Sequence, residues 1–361
     1  MLPRTERLLL GPGPSPVSAR VQAALSAPQR SHLDPDVLAL LDDIRARLER
    51  VFRVGPGGST LAVSGTGTSG MEAAVANVTD QSRRALVVVS GYFGDRLAQI
   101  LARYGADVER LDVEWGRAVD PDDVRAALRS RRADIVAVVH AETSTGVLNP
   151  VAEVARAARE VDALVLVDAV TSLGAMPLDV AGWDLDVCYA CSQKGLGAPS
   201  GLSPITFSAR ALSRRVPSRS FYLDLGLIED YWIRRRYHHT IPAPLVYALA
   251  AALAEVDEEG LEARWERHDA THQAFAAALG RLGLVLFPPP GERLWSLNAV
   301  RVPDGVDEAA VRRALLDRHD IEIGAGLGPL AGRIWRVGLM GSGSTVANVA
   351  RVARALQQVL D

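Results

Sequence analysis

The chain has a single lysine. Lys194 stands against a Lys+Arg total of 40 in 361 residues, so every other basic side chain is arginine. Cysteine is nearly as scarce. Cys188 and Cys191 are too few for a disulfide framework, which points to a reducing, cytoplasmic setting. A surplus of one charge sign is missing too: 40 basic residues against 43 acidic leave a net charge of -3. A general nucleic-acid binder would carry a basic excess, so that class is disfavoured. No apolar run approaches the roughly 20 residues of a membrane helix, and the run in MLPRTERLLL is too short for a signal peptide. There is no fixed-period repeat, no low-complexity linker and no G-x-S-x-G nucleophile elbow. What is present is 48% hydrophobic and 23% charged, a globular composition in a chain longer than one core usually fills.

Residues 8–16, LLLGPGPSP, are rich in glycine and proline and read as an irregular arm rather than a helix or strand. A helix is expected over 36–52, where Val37, Leu40, Leu41, Ile44, Leu48 and Val51 recur at helical spacing. Continuous apolar runs at 61–64, 85–90, 135–140, 164–168 and 187–191 then read as buried strands. Helical stretches such as 121–130 and 150–160 lie between most of them, each opening on a proline that a first turn accepts. This alternation predicts an α/β fold with a mostly parallel, doubly wound sheet. Beyond Ala254 the pattern changes to helices at 262–282, 307–319 and 346–360 with short apolar runs at 295–302 and 334–338. We therefore expect an N-terminal arm (1–20), a large domain (21–254) and a smaller α+β domain (255–361).

Three features could carry chemistry. Lysine used only for charge is replaceable by arginine; lysine used as a nucleophile is not, because a guanidinium neither deprotonates nor forms an imine. Lys194 follows an apolar strand and precedes a flexible GLGAPSG loop, at the strand end where open α/β sheets bind ligands. The alternative is a surface lysine left over from compositional drift. Asp168 ends the run LVLVD one βα unit earlier, where a carboxylate needs a cation or a donor. It either caps the next turn or holds a pyridinium nitrogen protonated. The third feature is Ser64-Gly65-Thr66-Gly67-Thr68-Ser69-Gly70 leading into a helix, whose free amides and dipole attract an anion. Its letters also match the dinucleotide fingerprint, but the next strand ends in Ser90-Gly91 without the ribose-binding acid. Without a lysine it is not an ATP-binding P-loop. A monophosphate anchor fits better.

The order phosphate loop, aspartate, lysine describes a pyridoxal-phosphate enzyme, and the sequence resembles the class V aminotransferases, in their alanine–glyoxylate and serine–pyruvate branch. The resemblance rests on SGTGTSGMEAA, HAETSTGV, LVDAVTSLG, CSQKGLGAPSG, YHHTIP, DIEIGAGLG and RIWRVGLMG, spread over nearly the whole chain. It implies the pyridoxal-phosphate-dependent transferase fold of type I, with a seven-stranded sheet. It also implies a ping-pong transamination between a small amino acid, alanine or serine, and glyoxylate or pyruvate. Lys194 would hold pyridoxal 5'-phosphate covalently and move the proton. Asp168 would pair with the ring nitrogen, Val170 and Phe93 would pack on the ring faces, and Thr143 would lie near the phenolic oxygen. Thr66, Gly67, Thr68 and Gln193 would hold the phosphate, with Tyr237 and Thr240 contributed by the partner in a homodimer with shared sites. Arg336 would bind the substrate carboxylate, helped by the backbone at Gly11. Arg336 also interrupts the apolar run IWRVG, where a guanidinium needs an anion; an internal ion pair is the other reading.

Two positions depart from common family choices: Phe93 where close relatives often have Trp, and Thr68 where some have His. Donors such as ureidoglycine, aminoethylphosphonate or pyridoxamine therefore stay open. An NAD-dependent oxidoreductase using Gly65 to Gly70 is the reading from another class, and a non-catalytic scaffold a third. A cysteine desulfurase is disfavoured, because no cysteine follows the lysine. Cys188 and Cys191 read as buried in a strand, His268 and His272 as a solvated helix face rather than a zinc site, and Arg234-Arg235-Arg236 as a solvated turn.

Overall fold

A computed structural model describes residues 7–361; residues 1–6, part of the expected arm, lie outside the described residues. Seven strands build the main sheet: β1 (Ser59–Ser64), β2 (Arg84–Val89), β3 (Asp107–Asp112), β4 (Ile135–Val139), β5 (Leu164–Asp168), β6 (Val187–Tyr189) and β7 (Leu202–Phe207). Their order is β1-β7-β6-β5-β4-β2-β3, with only β7 running against the rest. The central strands β4 and β5 are buried along their whole length, as their unbroken Val, Ile, Leu and Ala runs require with helices on both faces. β3 was not expected, because DVERLD alternates polar and apolar residues. It is the sheet edge, paired only with β2, so one side faces solvent.

Two segments correct the sequence reading. The arm is not wholly irregular: Leu8–Leu9 pairs in parallel with Ile321–Glu322, and Leu10 is buried in the C-terminal core. Glycine and proline begin only at Gly11, so the three leucines before them were free to pair. The GLGAPSG loop is not a flexible tether, since Leu196 and Ala198 are buried and the chain runs directly into β7. Three glycines suggested mobility, but they let the loop pack closely: a Cβ at Gly195 would lie 2.3 Å from the Leu173 carbonyl oxygen.

Two main hydrophobic cores result among the described residues, with two small clusters beside them. The larger surrounds the main sheet and takes in the helices Pro35–Phe52 and Ala243–Glu259, which pack on each other. The smaller gathers Leu10, Phe275, Leu315, Trp335, Val337 and Leu356 over a sheet of β8 (Leu297–Arg301), β9 (Gly324–Ala325) and β10 (Ile334–Gly338), ordered β8-β10-β9. The helix Leu261–Arg281 is not a solvated rod, because His268 and His272 on it are buried. His268 accepts from the Gly341 amide through Nε2, and His272 pairs with the Asn298 side chain. His268 Nδ1 also bonds to the Arg264 carbonyl, so both of its nitrogens are engaged within the fold. Among the described residues no helix is long and apolar enough to cross a membrane.

Candidate active site

Segments leaving the carboxyl ends of β1, β2, β4, β5 and β6 line a cavity of about 190 Å³. Its walls include Thr66, Gly67, Thr68, Phe93, Thr143, Asp168, Val170, Gln193 and Lys194, nine of the residues singled out from the sequence. Met71, Arg96 and Val139 complete them.

Lys194 sits in the turn after β6 and is buried. Its Nζ donates to the Pro12 carbonyl oxygen at 2.6 Å and to Thr171 Oγ1 at 3.3 Å, and among the described residues no carboxylate bonds to it. Burial lowers its pKa below the usual lysine value, which favours the neutral, nucleophilic amine. The arm clasps this turn: Ser15 donates from its amide to the Gln193 carbonyl and from Oγ to the Lys194 carbonyl. From the other side Arg264, itself buried, donates to the carbonyls of Gly174 and Gly195 and pairs with Glu259. The lysine that read as a possible surface remnant is thus held from both ends of the chain.

Asp168 is the last residue of β5. Its Oδ1 accepts from the Val170 amide and its Oδ2 from the Tyr189 hydroxyl, both at 2.8 Å. Register puts Tyr189 directly opposite Asp168 in β6. Burial pushes the carboxyl pKa up to about 6. The bond to Val170 is the turn cap that the sequence allowed. A carboxylate costly to bury is nonetheless aimed into a cavity, where a cationic ring nitrogen would stabilise its charged form.

The glycine run opens helix α1 (Gly67–Val78), and no side chain caps it, so its first amides remain available for an anion. Gly65 adopts φ +142°, and a Cβ there would meet Ser69 Oγ at 2.3 Å. At Gly67 a Cβ would lie 2.9 Å from Val170 Cγ2, closing the space between loop and ring seat. Gln193 Oε1 is buried here without a hydrogen-bond partner. Phe93 is placed by helix α2 (Tyr92–Arg103), whose start is fixed by buried Glu142: its Oε2 accepts from the Phe93 and Gly94 amides. Glycine cradle, uncapped helix amides, buried acid and an amine whose pKa is lowered by burial together fit pyridoxal phosphate.

Arg336 lies on β10, buried, with no carboxylate partner among the described residues. Its Nε donates to the Ala325 carbonyl at 2.6 Å and Nη1 to the Thr143 carbonyl at 3.4 Å. Among the described residues, then, the arginine forms no internal ion pair. Burial lowers its pKa to about 10, still charged at neutral pH. Two residues further along the strand, the Gly338 amide donates to the Leu10 carbonyl, which seats Gly11 against the same strand. Tyr237 and Thr240, by contrast, are not part of this cavity in the single chain. Both are exposed, Tyr237 by 64%, so it is not ordinary core. Their neighbour His239 bonds to Ser64 at the start of the glycine run. Arg234 and Arg235 are ion-paired, to Asp230 and Asp42, and so are neither free for phosphate nor merely solvated.

A model of the family described as aminotransferase class-V matches residues 18–336. The chain belongs to the class V aminotransferase family. An alanine–glyoxylate aminotransferase from Nostoc sp. has a solved structure with TM-score 0.97 and 45% identity, covering 100% of this chain and 97% of that one. The (S)-ureidoglycine–glyoxylate transaminase of Bacillus subtilis is 36% identical over 98% of this chain and 90% of its own length. Alanine–glyoxylate aminotransferase of Drosophila melanogaster is 35% identical over 98% and 92% respectively. The protein is an aminotransferase, and the dinucleotide reading of the glycine run falls away.

Sequence reasoning missed several parts of this aminotransferase site. Tyr189 and Thr171 hold Asp168 and Lys194, Glu142 sets the start of α2, and Arg264 braces the lysine turn. A tyrosine inside the otherwise small, apolar run VCYAC was the one signal available for them.

Proposed function

We propose that this aminotransferase moves the amino group of alanine or serine to glyoxylate or pyruvate, using pyridoxal 5'-phosphate held at Lys194. The observation that carries the reading is the chain's one lysine, buried with a lowered pKa and facing the same cavity as the buried Asp168. When bound, the cofactor supplies the electron sink that lets an amino acid lose its α-proton.

The chain's residues do the rest. Asp168, oriented by Tyr189 and the Val170 amide, holds a proton on the ring nitrogen. Val170 and Phe93 would pack on the ring faces, and Thr143, which is bonded to Thr171, would lie near the phenolic oxygen. Thr66, Gly67, Thr68 and Gln193 would hold the phosphate. Lys194 Nζ takes the α-proton and returns it; the Thr171 hydroxyl and Pro12 carbonyl steer it. Arg336 and the backbone at Gly11 bind the α-carboxylate, and the planar guanidinium fork selects that group. A second copy of the chain would bring Tyr237 and Thr240 to the phosphate, making a homodimer with shared sites in the cytoplasm. The reading as alanine–glyoxylate type is supported by the 45% identity to the Nostoc sp. enzyme. Ureidoglycine is the second candidate donor, favoured by the Bacillus subtilis relative at 36%.

A single-turnover screen tests this. Adding alanine, serine, aspartate or ureidoglycine separately to the purified yellow protein should bleach its visible absorbance, fastest with alanine or serine. A faster response to ureidoglycine would replace the donor assignment, and no response to any amino acid would overturn it.

A further inference from the structure

Arg96 lines the cavity, and neither the sequence motifs nor the family resemblance gave it a part. It lies one turn along α2 from Phe93, so both side chains project from one face of the helix. Its Nη1 donates to Thr68 Oγ1 at 3.0 Å, across to the first turn of α1. The guanidinium carbon sits 5.0 Å from the Phe93 ring centre and 5.2 Å from that of Tyr92, within cation–π range. Among the described residues Arg96 makes no ion pair, in a chain where arginines such as Arg110, Arg125 and Arg264 have carboxylate partners.

Charge arithmetic gives this arginine a task. A phosphate monoester carries close to two negative charges at neutral pH. A helix N-terminus offers the equivalent of about half a positive charge, and hydroxyl and amide groups add dipoles only. Lys194 is the other basic side chain on the cavity wall, and its nitrogen is committed to bonding carbon. We propose that Arg96 is the cation of the phosphate subsite, donating to the cofactor phosphate while Thr68 fixes its position. This rests on the cofactor reading above. It also links two parts of the site, since one turn of α2 then carries both a ring clamp and the phosphate charge.

The test separates phosphate from ring. Cofactor-stripped full-length protein is titrated with pyridoxal 5'-phosphate and, separately, with pyridoxal, following absorbance. Arg96→Met should weaken binding of the phosphate ester by roughly 10- to 100-fold, the range of a charge-assisted hydrogen bond, and change pyridoxal binding less than about threefold. Arg96→Lys should recover part of the loss, because it keeps the charge without the fork. Equal losses for both compounds would make Arg96 a support for Phe93 and overturn the proposal, as would no loss for either. Lysine and methionine variants equally weak would overturn the charge argument. Wild-type protein that binds pyridoxal 5'-phosphate no better than pyridoxal would show no phosphate subsite. Wild-type protein that binds neither compound would overturn the cofactor reading itself.

Discussion

The cavity and the segment from Phe221 to Thr240 contrast in what they leave unmatched. In and beside the cavity, Lys194, Asp168 and Arg336 are buried with hydrogen bonds but, among the described residues, without an ion-pair partner, an arrangement that costs free energy. The segment has the reverse imbalance. Glu229, Asp230, Arg234 and Arg235 are ion-paired, while Phe221 is 73% exposed and lies with exposed Tyr222 against His238, and Ile233 and Tyr237 are exposed as well. Buried charge without a partner is what a small ionic ligand satisfies. Open aromatic surface is what another protein surface satisfies. The two regions meet at Ser64, where His239 touches the root of the phosphate loop. A partner seated on the segment would therefore reach the ligand seated in the cavity.

The sharpest way to break this picture is Lys194→Arg. Charge and bulk are retained, so the fold should survive, but neither covalent attachment nor proton transfer can follow. Transamination should fall roughly a thousandfold or more. Borohydride should fix a pyridoxyl group on the Lys194 peptide of the wild type and on no peptide of the variant. An active arginine variant would mean that the cavity's chemistry lies elsewhere. Asp168→Asn comes next. The amide keeps the Tyr189 contact but cannot hold the ring nitrogen protonated, so kcat should drop by about a hundredfold, roughly 3 kcal/mol, with KM less affected. A near-normal kcat would leave Asp168 as the turn cap that its bond to Val170 also allows.

The cavity was more legible in the sequence than the segment, for a physical reason. A phosphate loop, a strand-end acid and a lysine each carry a local chemical signature, and β1, β5 and β6 were visible as unbroken apolar runs. What was not legible depends on partners distant in sequence. Arg264 and Glu259 lie in a stretch that reads as an ordinary charged helix until the fold brings them under Gly195. His268 and His272 look solvated at their spacing, because nothing local shows that the second core closes over them. β3 escaped notice since an edge strand needs only one apolar face. The pairing of Leu8–Leu9 likewise depends on residues three hundred positions away.

The segment's role is sharpened by complementation, with a smaller expected effect. Tyr237→Ala alone should weaken cofactor binding about tenfold, the size of one lost hydrogen bond to a charged group. Mixing it with Lys194→Ala chains under subunit exchange should restore roughly a quarter of wild-type sites, because half the dimers are mixed and one site in each is intact. Sites built within one chain would recover nothing on mixing.

The smallest effect separates two histidines with similarly depressed pKa values, one in the core behind the cavity and one on the segment. His140, at the end of β4, is buried against Ser172 and Trp183, and burial alone lowers its pKa to about 4. His239, on the segment, is also lowered to about 4, by burial first and then by His238 and His32. In both, the folded pKa lies below the unfolded value of about 6.5, so the unfolded chain takes up the proton first. The stability each contributes is complete above pH 6.5 and is lost as pH falls toward 4. At pH 5.5 the loss for His140 is about 1 kcal/mol. His140→Asn lowers stability at every pH by removing packing, yet it should flatten the slope of unfolding free energy between pH 6.5 and 4.5. His238→Asn should flatten the slope less, by relieving only the repulsive part of the His239 shift. A slope untouched by His140→Asn would mean that the ring is reached by water and titrates near its ordinary value. A His238→Asn effect larger than that of His140→Asn would place the acid-sensitive element on the segment instead of in the core.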